Sequence, residues 1–387
     1  MTAGTRTLLV EGWRQLPHSY SIANSFQCIE MLGRPNLRLL HRDLPYYLPH
    51  WQSVHGLFSA EEEARIAAIP APPPGERPDA VLRMGFPFDF SPADAPRTLV
   101  FGTAEFRCVP PSFVAGGRPL AAAMRGSEAV MIACSSWTRD GFLASGAEPA
   151  RVKLVPLGVD PRLHHPLPDD QRAALRRQLG WDGYVFLSLG AMTGCKGMLQ
   201  LLKAFAIVAQ RHPHARLCTK GLDSLYQSHS LLQAEFKNLT QAEIQIIEPR
   251  MFYTGQVLPF ADVARLYQAA DAYVSPYLAE GFNLPVLEAA ASGLPSICTA
   301  GGSTDDFTRP EFAARIQSTL RSFLLPCGTP ATQLVPDFDH LVQLMLDAIT
   351  RPDFFARARQ SGPAFVTAGH TWSHTVDKLL QAAFGTD

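Results

Sequence analysis

Residues 271–293 constrain the fold more than any other stretch of the chain. Asp271-Ala272-Tyr273-Val274 is short, apolar and bounded by turn residues, which predicts a buried strand. A loop containing Gly281 follows, and then a helix. Asn283 is suited to cap that helix, Pro285 fits its first turn, and Gly293 stands where a helix takes a left-handed stop. Strand, glycine loop and helix N-terminus together make an anion site, because the first amides of a helix lack intrahelical acceptors and its dipole favours negative charge there. The same loop carries Glu280, with Glu288 further into the helix. A carboxylate beside a phosphate site repels the phosphate unless it binds something else, and the hydroxyls of a sugar or a ribose are the natural partners. Taken alone, the stretch is equally compatible with an ordinary capped helix whose two glutamates are solvated near the favourable dipole end.

The run Glu-Gly-Phe-Asn-Leu-Pro-Val-Leu-Glu-Ala-Ala-Ala-Ser-Gly-Leu-Pro from residue 280 to 295, with its glutamates separated by seven residues, resembles the signature of retaining GT-B glycosyltransferases. These form the large nucleotide-sugar family that includes sucrose synthases and mannosyltransferases. The resemblance implies that Glu280 contacts the donor sugar and that Glu288 holds the ribose hydroxyls. It also implies that the amides of Gly281, Phe282, Asn283 and Leu284 serve phosphate and sugar. The motif is a hypothesis about structural context.

Bulk properties narrow the alternatives. A chain of 387 residues is long enough for two or three domains with their own cores. The formal net charge of −1 gives no argument for nucleic acid or strong binding to anionic lipid. Apolar runs such as 129–133 are far too short to span a bilayer, so any membrane contact is expected to be peripheral. Leu8-Leu9-Val10 is broken by Glu11 and makes no signal-peptide core. Seven cysteines without a Cys-x-x-Cys pair suggest a reduced, cytoplasmic protein without structural zinc.

In the first half, 7–10 and 37–40 read as strands flanking a helix over 22–32, the beginning of a βαβ unit. The loop after the first strand should lie at the carboxyl edge of the sheet, where open α/β folds bind ligands. The resembled family has a Gly-rich turn there; this chain has His18-Ser19-Tyr20 instead. His18 and Ser19 are therefore candidates for the cleft, although aromatic packing of the loop explains them as well. Residues 44–78 are irregular apart from a helix over 60–69 and, by resemblance, face the acceptor. Strands are expected at 79–83 and 97–101; Glu105 just beyond the second is either a cleft residue or a rim carboxylate. Ser135-Ser136-Trp137-Thr138-Arg139-Asp140-Gly141 and Val155-Pro156-Leu157-Gly158-Val159-Asp160 closely resemble the end of the family's N-terminal domain.

In the second half, the buried strand 184–189 runs into Gly190-Ala191-Met192-Thr193-Gly194-Cys195-Lys196-Gly197. A helix follows with apolar residues at 198, 201, 202, 205 and 208. Lys196 projects from this loop-to-helix junction, where a cation can stabilise charge building on a departing diphosphate. The family places an arginine directly after the first glycine, but here that position is Ala191. Lys220, after the strand 216–219, is the candidate replacement. Residues 251–255, with Tyr253 and Thr254, resemble the loop whose backbone holds the nucleotide base. A last amphipathic helix is expected over 372–384.

These readings predict an α/β protein of the GT-B kind: two facing Rossmann-like domains, residues 1–165 for the acceptor and 166–368 for the nucleotide-sugar, with 369–387 forming a helix that returns to the first. The implied reaction moves a sugar from a nucleoside diphosphate to an unknown acceptor hydroxyl with retention. Lys196 and Glu280 are the catalytic candidates, and Gly190, Lys220, Tyr253, Thr254, 281–284 and Glu288 would bind the donor. No resident cofactor is implied, and no metal, because no Asp-x-Asp pair or ligand-spaced His cluster stands by the phosphate loop. A catalytically weak partner subunit, which Ala191 allows, and a sugar-nucleotide epimerase of the same fold are the alternatives. A two-lobed solute-binding protein is disfavoured by the missing export signal.

Overall fold

The computed structural model describes residues 4–385. The chain forms two compact units. The first comprises residues up to Gly158, Phe323–Thr332 and the segment from Trp372 onward; the second comprises Val159–Ser322 and Gln333–Thr371.

The first unit is built on a parallel six-stranded sheet in the order β2-β1-β3-β4-β5-β6. Its strands are β1 (Arg6–Gly12), β2 (Leu37–Asp43), β3 (Ala80–Met84), β4 (Thr98–Gly102), β5 (Val130–Ala133) and β6 (Val152–Leu154). Runs such as Leu8-Leu9-Val10 and Val130-Met131-Ile132-Ala133 are buried on both faces, as strands covered by helices on each side must be. Glu11 of β1 lies in register with Arg42 on one neighbour and Arg83 on the other. Both guanidiniums reach it, at 2.5 Å and 2.9 Å. With Glu11 and Arg83 both buried, each satisfies a charge that neither could bear alone. The helix Ala60–Ala67, closed by a capping box of Ser59 and Glu62, ends two residues short of expectation. Pro70 accounts for that, since the residue before a proline is pushed out of the helical region. The C-terminal helix Trp372–Phe384 packs in this unit. Trp372 stacks on Phe26 of the helix Ser19–Met31 with centroids 5.4 Å apart, and Arg34 holds Asp377 at 2.9 Å.

The second unit contains β7 (Tyr184–Leu189), β8 (Ala215–Lys220), β9 (Met251–Thr254), β10 (Ala272–Ser275), β11 (Ser296–Thr299) and β12 (Ala313–Ile316). They pair in parallel in the order β12-β11-β10-β7-β8-β9. Chain order therefore reverses between β7 and β10: the connection after β7 turns to one face and that after β10 to the other. A crevice opens at such a reversal at the carboxyl ends of the strands. The helix Met198–Arg211 covers one face and buries Met198, Leu201, Leu202, Phe205 and Val208. Each contributes about 1.5–3 kcal/mol by leaving water.

Candidate functional site

The loops that leave β7 and β10 are fastened to each other. The carbonyl of Cys195 accepts the amides of Leu278 at 2.7 Å and Ala279 at 3.3 Å. Gly197, at φ 70°, turns so tightly beneath Pro276 that a Cβ there would lie 2.0 Å from the proline carbonyl oxygen. Only glycine fits both the left-handed backbone and the space. This fastening sets Lys196 opposite Glu280, Nζ to Oε1 at 2.6 Å. Their side chains keep 22% and 11% of their surface exposed, so the pair is partly desolvated yet open to a ligand. Gly190 lies along the Lys196 stem, where a Cβ would sit 3.9 Å from Cγ.

Beyond Glu280 the chain enters the helix Leu284–Ala291. Asn283 occupies the cap position but does not cap as expected: it adopts the left-handed conformation, φ 71°, and its side chain accepts nothing from the helix. Its carboxamide instead donates to Ser275 Oγ at 3.0 Å, tying the loop back to β10. Asparagine tolerates this backbone better than most residues. The Phe282 ring is buried and stacks on Phe307, with centroids 4.8 Å apart. The amides of Phe282, Asn283 and Leu284 have no acceptor among the described residues, as helix-start donors require a partner from outside.

Glu288 lies one turn into this helix. Its Oε2 accepts the Tyr267 hydroxyl at 2.6 Å, and its Oε1 lies 3.9 Å from His164 Nε2. Burial pushes the Glu288 carboxyl up to about 7, opposed by the Tyr267 hydrogen bond. Burial also pushes His164 down to about 3, so the imidazole beside it is neutral. Tyr267 packs on Tyr273 of β10, with centroids 5.8 Å apart, and the Tyr273 hydroxyl donates to the Leu189 carbonyl at the end of β7, so Glu288 is tied to the edge from which the Lys196 loop leaves.

Lys220 and Thr254 end β8 and β9 and lie in register on this same edge. The Lys220 ammonium donates to the Gly221 carbonyl at 2.6 Å. Its pKa falls to about 8 through burial, against a pull upward from Asp223. The Tyr253 hydroxyl donates to Asp223 Oδ1 at 2.5 Å. The amide of Gly190 donates to the Lys220 carbonyl at 3.1 Å, and that of Gly221 to Thr254 at 2.8 Å. Phosphate-loop, lysine and base-loop candidates thus share one strand edge.

In the first unit His18 and Glu105 each hold contacts within the unit. His18 caps the helix Ser19–Met31, its Nδ1 accepting the Tyr20 amide at 3.2 Å, and its ring packs 5.1 Å from Trp51 and 5.4 Å from Trp13. Burial pushes its pKa down to about 4. Ser19 is exposed at the first helical position. Glu105 turns its carbonyl to the Trp137 indole at 2.7 Å, and its carboxylate lies within electrostatic reach of Tyr20. Among the described residues no three His, Cys, Asp or Glu side chains are grouped to hold a metal ion.

Tyr267, His164 and Asp223 escaped the sequence reading. Tyr267 is the one with a signal there, a hydroxyl on the buried face of the amphipathic helix Phe260–Ala269.

Residues 183–322, within the second unit, match the model of the family described as glycosyl transferases group 1. The chain is 28% identical over 274 residues to D-inositol 3-phosphate glycosyltransferase 1 of Catenulispora acidiphila, covering 70% of this chain and 60% of that protein. It is also 28% identical over 158 residues to mannosylfructose-phosphate synthase of Agrobacterium fabrum, covering 41% and 34%. The chain spans between 33% and 60% of the length of these and the next such relative. Among solved structures, HepE of Anabaena, in complex with UDP and glucose, superimposes with a TM-score of 0.68 at 14% identity over 97% of this chain and 98% of that one. Sucrose-phosphate synthase of Thermosynechococcus elongatus does so with 0.66 at 17% identity, covering 97% and 98%. The second unit thus carries a glycosyl transferases group 1 match, and the two Rossmann-like sheets share the GT-B fold of these solved structures.

Proposed function

We propose that the chain is a retaining glycosyltransferase that moves a sugar from a nucleoside diphosphate to an acceptor hydroxyl. One observation carries this reading: Lys196 and Glu280 meet at 2.6 Å at the chain reversal of the second sheet, with Glu288 tied through Tyr267 and Tyr273 to the end of β7. Lys196 takes the diphosphate, aided by the amides of 281–284 and by Lys220 in place of the absent arginine at Ala191. Glu280 accepts from hydroxyls of the donor sugar, and Glu288 accepts from the ribose. As the bond from the anomeric carbon to the diphosphate oxygen breaks, its electron pair stays with the phosphate, where Lys196 compensates the growing charge. The acceptor oxygen bonds to the anomeric carbon from the same face, and its proton passes to the departing diphosphate. No protein nucleophile and no resident metal takes part.

A relative solved with UDP makes uridine donors the first to try. The test is a thermal-shift and hydrolysis panel of UDP-, GDP-, ADP- and TDP-sugars, with and without EDTA. A ligand present at a hundred times its Kd should add about 2.7 kcal/mol of stability. The reading predicts stabilisation by one base class and EDTA-insensitive release of diphosphate. Failure of every donor to bind would remove it, and binding without release would favour the catalytically silent alternative that Ala191 allows.

A further inference from the structure

We infer that Tyr267 is a positioning residue that sets Glu288 for the vicinal hydroxyls of a ribose, and so confers a preference for ribonucleotides over 2′-deoxyribonucleotides. The inference rests on the reading that Glu288 faces the nucleotide sugar.

Glu288 has three flexible bonds, and a carboxylate free to rotate would accept hydroxyls in many poses. Here it has little freedom. Tyr267 is 1% exposed, and its hydroxyl holds Oε2 at 2.6 Å. Oε1 is turned to the neutral imidazole of His164. That ring is held edge-on against Tyr267 at 5.4 Å, and its Nδ1 lies 3.4 Å from the Ser292 hydroxyl. Tyr267 packs in turn on Tyr273, centroids 5.8 Å apart, whose hydroxyl donates to the Leu189 carbonyl at the end of β7. The carboxylate is therefore referenced through two tyrosines to the strand that carries the phosphate loop. A fifth of its side-chain surface, 19%, stays open. An acceptor fixed in this way discriminates because a buried carboxylate oxygen left unmatched costs more than a mobile one.

The test compares wild type with Tyr267→Phe and Glu288→Gln by calorimetric titration with UDP, GDP and ADP and the 2′-deoxy counterpart of each, using whichever base binds. Tyr267→Phe removes one oxygen and keeps the ring, so the packing on His164 and Tyr273 is preserved. The expected result is a preference of roughly tenfold or more for the ribonucleotide in wild type, the size of one hydrogen bond to a charged group. Tyr267→Phe should shrink that ratio mainly by weakening the ribonucleotide, while affinity for the deoxynucleotide stays within about twofold. A purely structural tyrosine would weaken both ligands equally or neither, and either result overturns the inference. If Glu288→Gln leaves the ratio unchanged, the ribose role of Glu288 falls and the inference with it. A ratio lost in Glu288→Gln but intact in Tyr267→Phe refutes the positioning role alone.

Discussion

The carboxyl edges of the two sheets spend their polar residues in opposite ways. In the first unit they are consumed by the fold: His18 caps a helix and packs between indoles, and Glu11 neutralises Arg42 and Arg83 across three strands. In the second unit Lys196 pairs with Glu280 and Glu288 with Tyr267, beside the helix-start amides of 282–284 that have no acceptor among the described residues. The difference teaches that residue type and position at a strand end do not distinguish structural from functional side chains; unmet backbone donors beside them do.

The largest expected effect is at Lys196. Lys196→Ala should lower kcat/KM for sugar transfer by about 10²–10³, the usual loss for one preorganised donor. A loss under tenfold would put the second edge on the same structural footing as the first. Of the same order, but in stability, Glu11→Ala should cost about 3–5 kcal/mol in denaturant unfolding by leaving buried Arg83 without its carboxylate. Unchanged unfolding would show that the Asp89 and Ser91 carbonyls, which also accept from Arg83, suffice.

Titration sharpens the comparison further. The Glu288 carboxyl is raised to about 7, so it is largely protonated below that pH and ionised above it. Only the ionised form accepts from both ribose hydroxyls, so nucleotide affinity should rise with pH between 6 and 8, by at most about tenfold per unit. Glu288→Gln should lose that component when the two profiles are measured side by side. His18 works the other way, on folding. Its pKa is depressed to about 4, so the unfolded chain takes up its proton first, near 6.5. The stability it confers as a neutral ring is complete above 6.5 and declines as pH falls towards 4. The smallest effect is His18→Ala at pH 8, about 1 kcal/mol for the lost cap with nucleotide affinity unchanged. A hundredfold loss of transfer there would make His18 a site residue.

The sequence made the second sheet's edge readable because its site is local. Strand, glycine loop and helix over 271–293 are written in consecutive residues, and so is the loop from Gly190 to Gly197. Contacts between distant residues were not readable. Tyr267 meets Glu288 from 21 positions away, and Arg83 meets Glu11 from 72. Nothing near Glu11 in the chain shows that two arginines will face it. Asn283 failed differently: a good capping residue took a left-handed backbone and turned to Ser275, because tertiary contacts outweighed its local preference.

The knot of Cys195, Gly197, Pro276 and Leu278 also limits what redesign can do. Two segments eighty residues apart in the chain move as one part, so an insertion in either displaces both partners of the lysine–glutamate pair. Transplanting this chemistry into another scaffold would require lifting both segments together, with the glycine that lets them touch.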